Sequence, residues 1–154
     1  MARRVFCFGN SLHGDDGVGP RIAEELRQLR LPKDIQVMEL PHALELTRLL
    51  EGCVEAVLVD ALCCENGFVG HVSVHGAEAV LQTGMNGRIS HEADLRFALQ
   101  SARAEWGSLP PIKVVTVTIA AIEVFKIGLS PAVEGAIPLA VAKIASLLRL
   151  GDSQ

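Results

Sequence analysis

Short apolar runs alternate along this chain with longer stretches whose apolar residues recur every three to four positions. That alternation predicts strands interleaved with amphipathic helices, the layout of an α/β domain. A first strand is expected from about Arg3 to Gly9 and a first helix from near Gly17, with Val18, Ile22, Leu26 and Leu29 on one face. Pro20 fits there because a first helical turn needs no intrahelical N–H donor. Pro32-Lys33-Asp34 introduces a second strand, Ile35 to Leu40, and a helix from about Ala43 to Glu51 carries Leu46, Leu49 and Leu50. Ala56 to Asp60 is apolar on both faces until its last residue, which marks a central strand. Phe68 to Val74 follows too soon for a crossover helix, so it is expected to pair antiparallel at an edge. Ala77 to Leu81 reads as a short helical turn, and Thr83 to Ser90, with Gly84, Asn86 and Gly87, as a mobile loop. A helix from His91 to Trp106 stops at Gly107, ahead of Pro110-Pro111. Ile112 to Ile119 is dense in β-branched residues and forms the last strand. Ser130 is placed as N-cap, Pro131 at the first position and Glu134 near the first turn of a final helix reaching about Leu148. The expected fold is a three-layer α/β/α sandwich around a mostly parallel twisted sheet of about five strands, one of them an antiparallel edge. One domain spanning residues 1–154 is expected, without repeats, linkers or low-complexity tracts.

Composition narrows the class. With 154 residues, 49% hydrophobic and 21% charged, the chain can bury a sizeable core and does not read as disordered. The formal charge of −4 and the lack of any basic run argue against nucleic acid as a main partner. Met1-Ala2-Arg3-Arg4 resembles the start of a signal peptide, but the apolar run behind it is too short for a secretory core. No segment approaches the roughly 20 apolar residues of a membrane span, so a soluble, cytoplasmic monomer is expected. The four cysteines, Cys7, Cys53, Cys63 and Cys64, form no C-x-x-C pair, and adjacent cysteines rarely bridge. A reducing compartment fits them better than a disulfide framework.

The stretch most loaded with chemistry is Gly9-Asn10-Ser11-Leu12-His13-Gly14-Asp15-Asp16-Gly17-Val18-Gly19-Pro20, which links the first strand to the first helix. Glycine-rich turns at this point in α/β proteins often cradle phosphate on free backbone N–H groups. Here two adjacent aspartates repel an anion and attract a cation. Open α/β sheets bind ligands beyond the carboxyl ends of their strands, where Asp15, Asp16 and, after the third strand, Asp60 would converge if those strands are neighbours. His91 opens the helix behind the loop and is the candidate third ligand. Two carboxylates and an imidazole suit a divalent transition metal with open positions. Each residue alone has a plainer explanation: helix capping for Asp15 or Asp16, loop hydrogen bonding for Asp60, a surface or capping role for His91. His13 shares the turn but has no assigned role, and neither do His42, His71 and His75. Glu123, beyond the last strand, is expected on the solvated surface.

Taken together, Gly9-Asn10-x-Leu12-x-Gly14-Asp15-Asp16-Gly17-x-Gly19, the strand ending Asp60-Ala61, and Ser90-His91 resemble the hydrogenase maturation endopeptidases. Ile127-Gly128-Leu129-Ser130-Pro131-x-Val133 is similar to that family's entry into its last helix, so the likeness spans nearly the whole chain in order. The resemblance implies an α/β/α sandwich that removes a C-terminal extension from the large-subunit precursor of nickel–iron hydrogenase after nickel insertion. It implies that Asp16, Asp60 and His91 are the catalytic and metal-binding residues, and that nickel comes with the substrate. Other divalent metals are candidates for the same site. Of the two aspartates, Asp16 takes the ligand position and Asp15 shapes or caps the turn. The chain departs from the family in having Glu39-Leu40-Pro41-His42 where many members carry an Asp/Gly-Gly-Thr turn. The segment from His91 through Trp106-Gly107 to Pro110 resembles the branch serving cytoplasmic, soluble hydrogenases.

Metal-assisted peptide hydrolysis is the implied reaction, with either Asp16 or Asp60 open as general base. A serine or cysteine nucleophile is disfavoured, since there is no G-x-S-x-G elbow and Cys63-Cys64 has no evident histidine partner. The alternative is a non-proteolytic nickel-sensing accessory protein or chaperone of hydrogenase assembly. A nucleotide-binding domain is disfavoured because neither G-x-G-x-x-G nor G-K-[ST] occurs.

Overall fold

A computed structural model describes residues 2–82 and 87–150 of the chain. Five strands lie in the order β2-β1-β3-β6-β4: β1 is Ala2–Phe8, β2 Ile35–Leu40, β3 Cys53–Cys63, β4 Val72–Gly76 and β6 Ile112–Ile119. A further strand, β5 (Arg88–Ile89), pairs antiparallel with the end of β3. β2, β1, β3 and β6 run parallel, and β4 pairs antiparallel with β6 at the edge. The helices are α1 (Val18–Arg27), α2 (Leu46–Leu49), α3 (Glu78–Leu81), α4 (Glu92–Trp106) and α5 (Pro131–Leu147). This is the expected α/β architecture, with a mostly parallel sheet flanked by helices.

Period-two alternation within apolar strands divides the core between the two sheet faces. Val5, Cys7, Val57, Val59, Val115 and Val117 pack under α1 and α5. Phe6, Phe8, Leu58, Leu62 and Val114 pack under α2 and α4. α1 presents Val18, Ile22 and Leu26 to its cluster, as the spacing predicts. Leu29 is not on that face: the helix ends at Arg27, and Leu29 is exposed. There the apolar period outlasts the backbone it was expected to follow. The helix expected over Ala43–Glu51 is also shorter, a 3-10 turn at Ala43–Glu45 and then the single turn of α2.

β3 extends beyond the expected strand at both ends, because apolar Ala61, Leu62 and Cys63 continue the ladder with β6 past Asp60. The edge strand is antiparallel as expected but begins at Val72, and its partner is β6 rather than β3. Within the expected loop from Thr83 to Ser90, Arg88 and Ile89 are strand, and residues 83–86 lie outside the described residues. Gly107 closes α4 in the left-handed conformation, at φ 82°. No helix among the described residues is long and apolar enough to cross a membrane. All four cysteines are free thiols, and burial pushes the Cys7 thiol well above its ordinary range.

Candidate active site

Two close backbone approaches set the floor of the site. Gly9 has φ 140°, and a Cβ placed on it would lie 2.0 Å from the carbonyl oxygen of Asp16. A Cβ on Gly19 would lie 2.1 Å from the carbonyl oxygen of Phe8. Any side chain at either position would push the start of α1 away from the end of β1. These two glycines therefore serve packing between turn, helix and strand. The turn itself folds as a 3-10 helix, Gly14–Gly17, which buries Asp16 and leaves Asp15 only partly covered.

Asp60 enters from the neighbouring strand. Cys7 pairs with Val59, so Asp60 stands level with Phe8, the last residue of β1, while β3 runs on beyond it. Asp60 is thus not at the end of its own strand, as the sequence suggests, but at the carboxyl end of the strand beside it. The crevice between β1 and β3 is where a doubly wound sheet admits ligands. Beyond the end of β1, the same edge of β3 pairs with β5 through Leu62 and Ile89, which brings Ser90 and His91 over the crevice. The N–H of Ser90 donates to the carbonyl of Ala61 at 2.9 Å.

Asp16, Asp60 and His91 each offer one ligand atom within 4.8 Å of the others. Asp60 is completely buried, and its oxygens accept from the N–H groups of Ala61 and His91, both at 2.9 Å. Nδ1 of His91 lies 3.0 Å from Oδ2 and 3.1 Å from Oδ1 of the same carboxylate. Burial pushes the Asp60 carboxyl above its usual range, and the hydrogen bonds from His91 oppose this. The hydrogen bond to Asp60 raises the His91 imidazole, against its own partial burial. The carbonyl of Pro41, in the turn after β2, is a lesser influence that also raises the imidazole.

Asp16 is oriented by two donors. The Ser90 hydroxyl gives its hydrogen to Oδ1 at 2.8 Å, and the N–H of Asn10 donates to Oδ2 at 3.0 Å. Ser90 was visible in the sequence only as the residue before His91; that it reaches 74 positions back to Asp16 follows from the β3–β5 pairing. Asp15 faces the other way. Its carboxylate accepts the N–H of Ser130 at 2.7 Å and the Ser130 hydroxyl at 2.8 Å. Ser130 occupies the N-cap position of α5 as expected, but its hydroxyl caps nothing there and serves Asp15. Asp15 accordingly does not cap its own helix; it ties α5 to the turn.

The remaining sequence candidates stay outside the cluster. His13 bridges to Lys126 and sets its ring edge-on to Phe125, with centroids 6.1 Å apart. Glu123 is on the surface, as expected, and pairs with Lys126 at 3.2 Å. Nε2 of His75 lies 3.2 Å from Oγ1 of Thr116.

The donor set fits a divalent ion: two carboxylates and an imidazole, each fixed by a neighbouring hydrogen bond. Fold and site together define a class, an α/β protein with a candidate metal centre at the switch point of its sheet. The family model described as HycI, hydrogenase maturation protease, matches residues 20–147, and the chain belongs to that family of peptidases. The fold is that of the hydrogenase maturating endopeptidase HybD from E. coli, with TM-score 0.82 and 24% identity over 99% of this chain and 94% of that one. An endopeptidase from Escherichia coli gives TM-score 0.85 and 25% identity over 100% and 96% of the two chains. The [NiFe] hydrogenase maturation protease HybD from Thermococcus kodakarensis gives 0.78 and 21%, over 96% and 99%. The comparison with curated proteins returns no match.

Proposed function

We propose that the chain removes the C-terminal extension of the nickel–iron hydrogenase large-subunit precursor after nickel has been inserted. The observation that carries this reading is the convergence of Asp16, Asp60 and His91 within one crevice of a hydrogenase maturation protease. In this reading the nickel belongs to the substrate, and the three side chains recognise it; the whole chain acts as one domain in the cytoplasm. A divalent ion held by Asp16, Asp60 and His91 would supply Lewis acidity for peptide hydrolysis.

The protein's own groups have separable tasks. Asp60 anchors the imidazole and fixes the direction of its ring through Nδ1. Asp16, held by Ser90 and Asn10, keeps a carboxylate oxygen aimed across the crevice without paying for reorientation. Partial burial and the neighbouring Asp16 and Asp60 carboxylates raise the Cys63 thiol above its ordinary range.

The test is cleavage of a purified large-subunit precursor prepared with and without nickel. The expected result is a shortened subunit from the nickel-loaded precursor alone. Equal cleavage of both forms contradicts recognition of nickel. A stable complex with full-length precursor, and no cleavage, favours the chaperone alternative.

A further inference from the structure

Every residue from Ala120 to Gly128 is exposed, although only Glu123 and Lys126 in that segment carry charge. Those two charges pair with each other at 3.2 Å, so the segment meets solvent largely with apolar side chains. Phe125 is 86% exposed and Ile127 83%; Val124 in the same segment is exposed too, as is Leu12 in the turn that joins Lys126 through His13. Phe125 also sits at φ 61°, a left-handed conformation that costs a non-glycine residue free energy. Turning a large aromatic into water through a strained backbone gives the isolated fold no return.

The segment is nonetheless firmly placed. The N–H of Gly14 donates to the carbonyl of Lys126 at 2.7 Å, His13 forms a bridge with Lys126, and Asp15 holds Ser130 at its end. These anchors are the residues that immediately precede Asp16. Ile127 also lines a groove of about 530 Å³ together with Gly14, Gly17 and Leu129, which continues along α1 past Arg21. The apolar ledge is therefore continuous with the turn that carries the candidate catalytic carboxylate.

We infer that Leu12, Val124, Phe125 and Ile127 form the docking ledge for an apolar surface of the folded protein substrate, beside the crevice that receives its scissile segment. The inference rests on the reading of the chain as a protease for a hydrogenase subunit. A second copy of the chain fits less well: four partly exposed side chains offer on the order of 400 Å², short of the roughly 800 Å² per partner of a stable interface. A small apolar contact suits a substrate that must leave after cleavage.

The experiment measures binding of the large-subunit precursor prepared without nickel to the wild-type chain and to the chain carrying Phe125→Ser plus Ile127→Ser. The dissociation constant is expected to rise at least about tenfold in the ledge variant. Leu139→Ser, at an exposed apolar position on α5, is expected to leave it within about twofold. Phe125→Leu, which keeps an apolar side chain, is expected to restore most of the affinity. If the double variant melts early, Ile127→Ser alone carries the measurement. An unchanged dissociation constant overturns the ledge, as does a wild-type chain that binds no nickel-free precursor. A dimer of the wild-type chain that the double variant dissolves, seen by sedimentation, also overturns it. A wild-type chain that binds nickel-loaded precursor through the ledge yet never shortens it overturns the protease reading alone.

Discussion

A buried carboxylate survives only when its oxygens are occupied, and Asp60 shows how that need builds a site. Its partners, the N–H groups of Ala61 and His91 and the His91 ring, are also what aim the imidazole into the crevice. Asp16→Asn removes a candidate ligand oxygen with little change in volume, and His91→Ala removes a candidate ligand while leaving Asp60 the N–H groups of Ala61 and residue 91. Precursor cleavage is expected to fall at least ~100-fold in both, with the circular dichroism spectrum retained. Ser90→Ala deletes the hydroxyl that orients Asp16, so divalent-metal affinity measured by calorimetry is expected to drop about tenfold or more. Wild-type affinity in that variant contradicts the positioning role. His75 supplies a pH test away from the site. Burial holds its imidazole below the ordinary range. The unfolded chain then takes up the proton first, so the contribution of neutral His75 is complete above about pH 6.5 and lost as pH falls through its depressed folded value. His75→Gln is expected to flatten that acidic slope in denaturant titrations followed against pH. The three central residues were legible because each stands beside a recognisable boundary: glycine turn, apolar run, helix start. The Asp15–Ser130 and Asp16–Ser90 contacts were not, since no local pattern links positions 115 and 74 apart.

At the scale of elements, the turn after β1 is where the fold has least freedom. Gly19 leaves no room for a methyl group against the Phe8 carbonyl, so Gly19→Ala is expected to cost at least about 2 kcal/mol in chemical denaturation. A smaller loss would mean that α1 can slide away from β1 cheaply. Asp15→Ala removes two hydrogen bonds from the start of α5, with an expected loss of about 1.5–3 kcal/mol and weaker protection of the Ser130 amide in hydrogen exchange. Long elements were readable because periodicity accumulates: β2 and β6 span the residues that their patterns predict. Short ones were not. β5 has two residues, too few for a period, and is defined only by pairing with β3. Leu46 and Leu50 are buried as an amphipathic helix would have them, yet a 3-10 turn and a single α-helical turn satisfy the same spacing.

For the molecule as a whole, strand order links fold to chemistry. Placing β3 beside β1 brings Asp60 level with the end of β1, and the β3–β5 pair returns His91 over both. The alternation of strands and helices foretold the layered sheet, but not the overhang of β3 that seats Asp60 inside the molecule. The chain belongs to the hydrogenase maturation protease family, and under the proposed function that crevice receives the peptide to be cut. The most direct measurement is the intact mass of nickel-loaded large-subunit precursor after incubation with wild-type chain and with Asp16→Asn. Loss of a C-terminal fragment with the wild type, and none with Asp16→Asn, is the predicted result. Full-length precursor after wild-type treatment, or equal shortening by Asp16→Asn, would contradict the account.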